Sequence, residues 1–483
     1  MRSLSSVVKA YDVRGVVPDQ LDADVARALG AAFAELVAAD ETDDDTDRTN
    51  PAPVVVGHDM RPSSPELSRA FAEGVASRGR DVTLIGLAST DGLYFASGAL
   101  DAPGAMFTAS HNPAQYNGIK LCRPGARPVG QDSGLDSLRR RAEQLLETPD
   151  SAPSTAAAAA GTIAERDVLT DYARHLRSLV DLTSSRPLTV VVDAGNGMAG
   201  HTVPAVLGTD AGLPALPLRV VPLYFELDGT FPNHEANPLD PENLRDLQAA
   251  VVEHGADLGL AFDGDADRCF VVDERGEPVS PSAVTALVAA REIGRATGSG
   301  SEAPVVIHNL ISSRAVAEIV AEQGGRPVRT RVGHSFIKAE MAAHQAVFGG
   351  EHSAHYYFRD FWYADTGMLA ALHVLAALGE QAAPLSQLGA RYERYVASGE
   401  INSTVDDAAD RTAAVQAAFA ADEPVADRLD GLTLTCDAPD GRPGWWLNLR
   451  ASNTEPLLRL NVEARDRATM EQVRDRALSV IRG

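Results

Sequence analysis

Positive charge is scarce in this chain of 483 residues. Its 43 lysines and arginines face 67 aspartates and glutamates, which leaves a formal net charge of -24. Such an acidic excess repels nucleic acid and anionic membrane surfaces, so neither is expected as the main partner. Lysine is rarer still, because only Lys9, Lys120 and Lys338 occur. Each of the three is therefore a candidate site for a compact, titratable ammonium group.

Cysteine and long apolar segments are also scarce. Three cysteines without CxxC spacing indicate neither a disulfide framework nor a thiolate metal site. No run of about 18 apolar residues occurs, so no membrane-spanning helix is expected. The first residues, MRSLSSVVKAYDVRG, lack the apolar core of a secretory signal. We therefore expect a cytoplasmic protein.

What the sequence does contain is an alternation of apolar β-branched runs with alanine-rich stretches. The clearest strands are PVVVG, DVTLIGL, GAMFTA, LTVVVDA, LGLAFD, CFVVD and PVVIHN. This alternation predicts α/β units on sheets that are buried on both faces. The last hundred residues differ, because WWLNLRAS and PLLRLNVEA form two strands followed by an amphipathic helix from about Arg467. They predict a small α+β domain.

The length predicts three or four domains, with boundaries near residues 155, 278 and 390. Two segments have the composition of spacers. Residues 39–53 are acidic and contain proline, which predicts a solvated loop, and residues 151–161 have linker composition.

The motif DGDADR is the sharpest local signal. Asp263, Asp265 and Asp267 recur at every second residue, so a tight loop can aim three carboxylates at one hard cation such as Mg²⁺. A calcium-binding EF-hand is the alternative, and Glu274 does occupy its twelfth position. However, Arg268 stands where that loop needs glycine, and the flanking segments are strand-like. Mg²⁺ is therefore favoured.

A second motif, TASHNP, places Ser110 at the end of an apolar run and next to His111. A serine hydroxyl needs activation to accept phosphate, and an adjacent imidazole or a nearby ammonium such as Lys120 can supply it. The segment is not the GxSxG elbow of a hydrolase. Taken alone, a loop serine more often serves as a turn or cap residue.

Six separated motifs occur in the order and spacing of the α-D-phosphohexomutase family. They are KAYDVRG at 9–15, TASHNP with NGIK at 108–120, DGDADR at 263–268, VGHSFIK at 332–338, GGEHSAH at 349–355 and RASNTEP at 450–456. The chain resembles this family over nearly its whole length, above all the phosphomannomutase/phosphoglucomutase members. All three lysines fall inside the motifs.

The resemblance implies an α/β fold of three related domains with mixed sheets and a smaller C-terminal α+β domain around a central cleft. With our boundaries, residues 1–155 carry the phosphoserine loop and residues 156–278 the metal-binding loop. Residues 279–390 carry a sugar-binding loop, and residues 391–483 bind phosphate.

The resemblance also implies roles for individual residues. Ser110 becomes the phosphorylated serine, and Mg²⁺ is held against its phosphate by Asp263, Asp265 and Asp267. Arg14 and Arg268 are implied to lie near the reacting phosphoryl group, with His111 and Lys120 as proton-transfer groups. Substrate contacts are implied for His334, Glu351, Ser353, His355, Arg450, Ser452, Asn453 and Thr454. If Lys120 is a base, its pKa must be lowered, and neighbouring cations such as Arg14 can lower it.

The activity implied is interconversion of hexose 1-phosphate and hexose 6-phosphate, of mannose, glucose or both, through a hexose 1,6-bisphosphate. We expect a monomer or homodimer. A phosphatase and a non-catalytic sugar-phosphate-binding protein are the rivals from other classes, and phosphoglucosamine mutase is the rival within the family. The chain departs from the family pattern at HNLISS, 308–313, where a lysine is common. It departs again at His352 and Ala354, where methionine and glycine are common.

Overall fold

A computed structural model describes residues 3–9, 11–43, 51–148, 160–437, 443–451 and 457–483. The chain forms two compact units. Unit 1 comprises Met1–Val279 and Ser353–Ser386, and unit 2 comprises Ser280–His352 and Gln387–Gly483. Across the described ranges, no helix combines the length and the apolar character that a membrane span requires.

Unit 1 begins with a mixed sheet and its covering helices. The strands are β1 (Val13–Val16), β2 (Val54–His58), β3 (Val82–Leu87), β4 (Gly104–Phe107), β5 (Tyr116–Arg123), β6 (Arg127–Pro128) and β7 (Ile163–Glu165). The helices are α1 (Ala23–Asp43), α2 (Ser64–Ala76), α3 (Thr90–Leu100) and α4 (Leu135–Glu147). The strand order is β1-β5-β4-β2-β3-β7, with β6 on β5. Strands β4, β2, β3 and β7 are parallel, and β5 is antiparallel to both β4 and β1.

Helices α1 and α2 approach each other backbone to backbone. A Cβ atom on Gly30 would lie 2.1 Å from the carbonyl oxygen of Phe71, so glycine is required there. Helix α1 continues to Asp43, which corrects the expected loop at its start: residues 39–43 are helical. Residues 44–50, and residues 151–159 of the expected linker, lie outside the described part of the chain.

The next segment of unit 1 forms a second mixed sheet. Its strands are β8 (Leu188–Asp193), β9 (Leu218–Leu223), β10 (Leu258–Phe262), β11 (Cys269–Asp273) and β12 (Pro278–Val279). Its helices are α5 (Leu169–Leu179), α6 (Ala199–Val206) and α7 (Arg245–Glu253). The order is β12-β11-β10-β8-β9, with β9, β8 and β10 parallel and β11 antiparallel to β10. Every residue of β10 and β11 is buried, as the continuous apolar runs predict.

Residues 281–389 contain a further set of elements. They are α8 (Pro281–Gly298), β13 (Val305–Asn309), α9 (Arg314–Glu322), β14 (Arg326–Thr330), α10 (His334–His344), β15 (Phe348–Gly350), β16 (Tyr356–Phe358), β17 (Ala364–Asp365), α11 (Gly367–Gly379) and α12 (Leu385–Gly389). In unit 2, β13 lies between β14 and β15 and is parallel to both. In unit 1, β16 and β17 form an antiparallel pair.

The C-terminal part of unit 2 is an antiparallel sheet covered by two helices. Its elements are β18 (Val396–Thr404), α13 (Ala408–Ala418), β19 (Val425–Asp427), β20 (Leu432–Asp437), β21 (Pro443–Ala451), β22 (Leu457–Ala464) and α14 (Arg467–Arg482). The order is β18-β22-β21-β20-β19. Apolar residues of the sheet pack against Phe419 and the inner face of α14. The two predicted strands and the helix from Arg467 are confirmed.

Candidate active site

Ser110 lies in the loop that joins β4 to β5 in unit 1. Its φ angle is 51°, in the left-handed region that non-glycine residues rarely adopt. The Ser110 N–H donates to the hydroxyl of Thr108 at 2.9 Å, and the residue is buried. A serine held in a strained backbone conformation is typical of a functional loop.

Arg61 secures this loop, and sequence reasoning missed it. Its guanidinium is fully buried and pairs with Asp59, with Nε 3.2 Å from the carboxylate. The two Nη atoms donate to four carbonyl oxygens at 2.7–2.9 Å: those of Ser110, Asn112, Pro113 and Tyr116. A buried arginine is tolerated when its charge and donors are satisfied. Here they are satisfied by the backbone that presents Ser110.

The DGDADR loop connects β10 to β11. Ala266 has a φ angle of 60°, which closes the turn. One oxygen from each of Asp263, Asp265 and Asp267 can be chosen so that the three atoms lie within 4.8 Å of one another. All three residues are buried. The predicted convergence of alternate carboxylates is therefore present in the structure.

The Ser110 hydroxyl reaches this cluster directly. Its Oγ donates to Oδ2 of Asp263 at 2.8 Å. Arg268 approaches the same oxygen with Nε at 2.9 Å and Nη2 at 2.8 Å. Thus the candidate phosphoryl carrier, one metal-ligand candidate and a cation meet at one point.

The remaining two carboxylates bind the ammonium group of Lys120. Its Nζ donates to Oδ2 of Asp265 at 2.7 Å and to Oδ2 of Asp267 at 2.6 Å. Burial lowers the pKa of Lys120, but these two carboxylates outweigh it and raise the pKa well above its ordinary value. A role as base required neighbouring cations such as Arg14 to lower this pKa; in the structure the adjacent anions raise it.

The carboxylate cluster fits a divalent cation. Among the described residues, Oδ1 of Asp265 and Oδ1 of Asp267 are buried without a hydrogen-bond partner. Burial raises the pKa of Asp263 to about 8, and the neighbouring carboxylates add to this rise. The positive charge of Arg268 lowers the pKa but does not cancel the effect of burial. A hard cation would neutralise this repulsion and fill the unused oxygens.

The EF-hand alternative is excluded by the same loop. Strands β10 and β11 flank it, whereas an EF-hand needs helices. Glu274, which would be the bidentate ligand, instead accepts hydrogen bonds from the backbone N–H and the hydroxyl of Ser386.

His111 lies between Ser110 and Arg268. Its Nδ1 is 3.2 Å from the Ser110 hydroxyl and accepts from Nη2 of Arg268 at 2.7 Å. Because a guanidinium can only donate, Nδ1 carries no proton. Burial, Arg268 and Arg14 lower the pKa of His111 to about 2, so the imidazole is neutral.

Arg14 comes from β1, which pairs with the β5 strand that follows the serine loop. Its Nη1 donates to the side chain of Asn112 at 2.6 Å, and Nη2 pairs with Asp12 at 2.6 Å. A quarter of its side chain remains exposed. Arg14 is therefore anchored to the loop of Ser110 and still reachable by an anion.

His355 brings a further imidazole to the metal loop. An isolated antiparallel β-bridge joins the backbones of His355 and Arg268. Its Nε2 is 3.6 Å from Oδ1 of Asp267, and its Nδ1 shares a hydrogen bond of 2.9 Å with Ser353. Ligand atoms of Asp267, His355 and Asp365 also lie within 4.8 Å of one another. Ser353 and His355 thus belong to the environment of the carboxylate cluster.

Within unit 2, Glu351 directly follows β15 and lies near the N-terminus of α10, which begins at His334. The Glu351 carboxylate is buried and accepts from the side chain of Asn309 and the N–H of Gly333, both at 3.2 Å. Gly333 immediately precedes His334, the first residue of α10. Asn309 comes from HNLISS, the segment without the common lysine.

The backbone at Ala354 shows why glycine suits this position, although this chain has alanine. Its φ angle is 65°, where a glycine is free of strain and an alanine is not. The other departure, His352, shares a hydrogen bond of 3.2 Å with Ser282 in unit 2. Burial lowers the pKa of His352, which favours the neutral ring.

Arg450 lies on β21 opposite Arg459 of β22. Both approach Glu400, Arg450 at 3.7 Å and Arg459 at 3.3 Å. In the described parts of the chain, Nε of each arginine is buried without a hydrogen-bond partner. Two like charges directly opposite each other on neighbouring strands repel, and the Glu400 carboxylate offsets this repulsion. Arg459 was not foreseen from sequence; Ser452, Asn453 and Thr454 lie outside the described residues.

Four family models match the chain in succession. They are described as Phosphoglucomutase/phosphomannomutase alpha/beta/alpha domain I at residues 5–147, domain II at 170–276, domain III at 281–395 and the C-terminal domain at 400–480. Three α/β domains followed by a smaller C-terminal domain are the expected fold class, which is confirmed. Together with the serine and carboxylate site, they define a phosphotransferase of the mutase type.

Relatives that match this chain over nearly its full length also have the names of mutases. A chain named "Phosphohexose mutases" from Xanthomonas campestris pv. campestris is 42% identical over 98% of this chain and 99% of its own length. An Escherichia coli phosphomannomutase is 38% identical over 98% of both chains. A crystal structure of a phosphoglucomutase/phosphomannomutase family protein from Burkholderia thailandensis superimposes with a TM-score of 0.82 at 31% identity, covering 99% of this chain and 98% of that one. The chain belongs to the phosphoglucomutase/phosphomannomutase family.

Proposed function

We propose that the chain is a Mg²⁺-dependent mutase that interconverts hexose 1-phosphates and hexose 6-phosphates, with Ser110 as the phosphoryl carrier. The observation that carries the proposal is the contact between the Ser110 hydroxyl and Asp263 inside the buried carboxylate cluster. A serine in this position holds its phosphoryl group beside a cation. The names of the full-length relatives support a hexose phosphate as substrate.

The reaction has two half-steps. A free hydroxyl of the bound hexose monophosphate attacks the phosphorus of phosphorylated Ser110. A bond forms between phosphorus and the sugar oxygen, and the bond to Oγ breaks. The hydroxyl proton passes to a basic group, and Oγ takes a proton from an acidic group to become the serine hydroxyl. The hexose 1,6-bisphosphate turns end for end, and Oγ of Ser110 attacks the phosphorus of the phosphate that arrived with the substrate. The bond from that phosphorus to the sugar oxygen breaks, Oγ gives up its proton, and the sugar oxygen takes one. The sugar leaves with its phosphate moved and the enzyme rephosphorylated.

The residues around Ser110 are assigned separate roles in these half-steps. Asp263, Asp265 and Asp267 would hold Mg²⁺, which when bound stabilises charge on the phosphoryl oxygens. Arg268 adds a fixed positive charge beside Oγ, where charge develops as the bond breaks. We assign proton transfer to His111 and Lys120, as the family resemblance implies; without a bound substrate the imidazole is neutral and the ammonium is charged.

The substrate's other phosphate is assigned to the C-terminal domain. Arg450 and Arg459 supply the paired guanidinium groups, and the RASNTEP turn adds the hydroxyls and amide of Ser452, Thr454 and Asn453. Arginine binds phosphate oxygens in a bidentate manner, which suits a site that must grip either end of a bisphosphate.

Arg450→Ala chiefly weakens substrate binding. Loss of a charged bidentate contact is expected to cost about 1.5–3 kcal/mol, or roughly a ten- to hundredfold rise in KM. Steady-state kinetics with glucose 1-phosphate measure it. Arg467→Ala is the control, because that arginine is exposed on α14. If KM is the same in both variants, the phosphate clamp is wrong.

The enzyme is expected to accept both mannose and glucose phosphates. We assign Glu351 and Ser353 to the 3- and 4-hydroxyls, which the two sugars share; the sugars differ at C2. A site without a 2-hydroxyl contact discriminates only by shape, so kcat/KM values for the epimers should lie within about 10–100-fold. A coupled assay with mannose, glucose and glucosamine 1-phosphates side by side measures this. A ratio above about 10⁴ demands a dedicated 2-hydroxyl contact and contradicts the assignment.

The same assay separates the rival functions. A phosphatase would release inorganic phosphate in proportion to substrate consumed, and a binding protein would show no turnover. A mutase releases almost none and needs hexose 1,6-bisphosphate for full activity. We further propose that the enzyme works in the cytoplasm, because the charge of sugar phosphates prevents them from crossing a membrane unaided. We propose a monomer or homodimer as its oligomeric state.

A further inference from the structure

Thr90, the first residue of α3, contacts the metal-binding loop through both its side chain and its backbone. Its hydroxyl donates to Oδ2 of Asp265 at 2.5 Å, and its N–H donates to the Asp265 carbonyl oxygen at 3.0 Å. The residue has no exposed surface. A single residue therefore fixes both the backbone position and the carboxylate orientation of Asp265.

These contacts decide which oxygen of Asp265 remains for a cation. Oδ2 accepts from Thr90 and also from Lys120 at 2.7 Å, so its acceptor capacity is used. Oδ1 is buried and makes no hydrogen bond with the described part of the chain. A carboxylate held in this way can offer only Oδ1 to a metal.

Thr90 is itself held rigidly. Ser89 caps the N-terminus of α3 by accepting from the N–H of Gly92 at 3.1 Å. The buried carboxylate of Asp91 accepts from the hydroxyls of Tyr172 and Thr366, each at 2.7 Å. Tyr172 lies on α5, and Thr366 caps α11. Three helices thus fix the residue that orients Asp265.

We propose that Thr90 is a positioning residue for the divalent cation: it holds Asp265 so that Oδ1 faces the metal. This inference rests on the proposed function, because it takes the carboxylate cluster to be the metal site. Hydrogen-bond partners of metal ligands typically contribute about 10–100-fold to metal affinity. Loss of the Thr90 hydroxyl should lower the affinity by a factor in that range.

Direct binding of Mn²⁺ to the dephosphorylated full chain tests the inference, measured by electron paramagnetic resonance without any turnover. Thr90→Val keeps the shape and removes the hydroxyl, so Mn²⁺ should bind about 10–100-fold more weakly. Thr90→Ser retains the donor and should bind within a few-fold of wild type. Thr202→Val is the matched control: it makes the same change at a buried threonine whose hydroxyl donates to the carbonyl oxygen of Met198, and its Mn²⁺ affinity should be unchanged.

The outcomes are distinct. Wild-type affinity in Thr90→Val, or an equal loss in Thr202→Val, overturns the positioning role while the metal site stands. If Thr90→Val does not fold, Thr90→Ala takes its place, and a large loss in Thr90→Ser also overturns the inference. If wild type binds no Mn²⁺, the proposed metal site fails first and the inference with it.

Discussion

Ser110→Ala should abolish nearly all turnover and leave a folded protein. Because Ser110 is the proposed phosphoryl carrier, both half-steps stop without its hydroxyl. The variant loses one hydroxyl and its hydrogen bond to Asp263. The contacts of Arg61 with the backbone of the loop remain, so the fold should be kept. A coupled mutase assay and a thermal melt measure the two effects separately.

Ser137→Ala is the control for that experiment. Ser137 is exposed on α4 and donates only to the carbonyl oxygen of Gly134, three residues away. This variant should keep full activity and the phosphate adduct seen by intact-mass measurement, whereas Ser110→Ala should lose both. Wild-type turnover in Ser110→Ala would rule out the phosphoserine mechanism.

Asp265→Asn should lower both Mg²⁺ affinity and rate by more than about 100-fold. The substitution removes an anionic ligand, and even the hydrogen-bond partners of such ligands contribute about 10–100-fold. It also deprives Lys120 of one of its two carboxylate partners. The dependence of rate on Mg²⁺ concentration measures the effect, and chelation with EDTA should stop wild type altogether.

Asp273→Asn is the matched control for the metal ligand. Asp273 is a buried carboxylate at the far end of β11, where it faces Leu258 and pairs with Arg275. Its loss should lower the melting temperature and leave the Mg²⁺ dependence unchanged. Activity that survives EDTA, or equal Mg²⁺ dependence in the two variants, would refute the metal assignment.

The sequence was sufficient for features that depend on local pattern. Continuous apolar runs predicted the buried strands β10 and β11, and alternating aspartates between them predicted the carboxylate cluster. The helix predicted from about Arg467 begins at that residue. These features follow from side-chain periodicity and from polar loops at strand ends. The domain boundaries near 155, 278 and 390 stay predictions.

The residues that support the site could not be found in this way. Arg61 is 49 residues from Ser110, and Thr90 is 175 residues from Asp265. Their contacts depend on how separate strands and helices meet, which no local pattern encodes. Arg459 required the register of β21 on β22. One weak sequence indication of a role for Arg61 exists: it lies in GHDMR, just after the carboxyl end of β2. Ligand sites of α/β sheets lie at such strand ends.

The pKa of Lys120 shows the same limit. From sequence, a basic role for Lys120 required a lowered pKa, which neighbouring cations such as Arg14 could produce. The fold instead places Lys120 between Asp265 and Asp267, which raises the pKa and keeps the ammonium charged. The sign of the shift depends on which neighbours the tertiary structure brings nearest.

Transfer of phosphate from glucose 1,6-bisphosphate to the dephosphorylated chain tests the central claim most directly. The chain is incubated with the bisphosphate and Mg²⁺, digested and mapped by mass spectrometry. The proposed mechanism predicts one phosphate on Ser110, formed together with an equal amount of glucose monophosphate and no inorganic phosphate. Phosphate on another residue, or release of inorganic phosphate without labelling of Ser110, would contradict it.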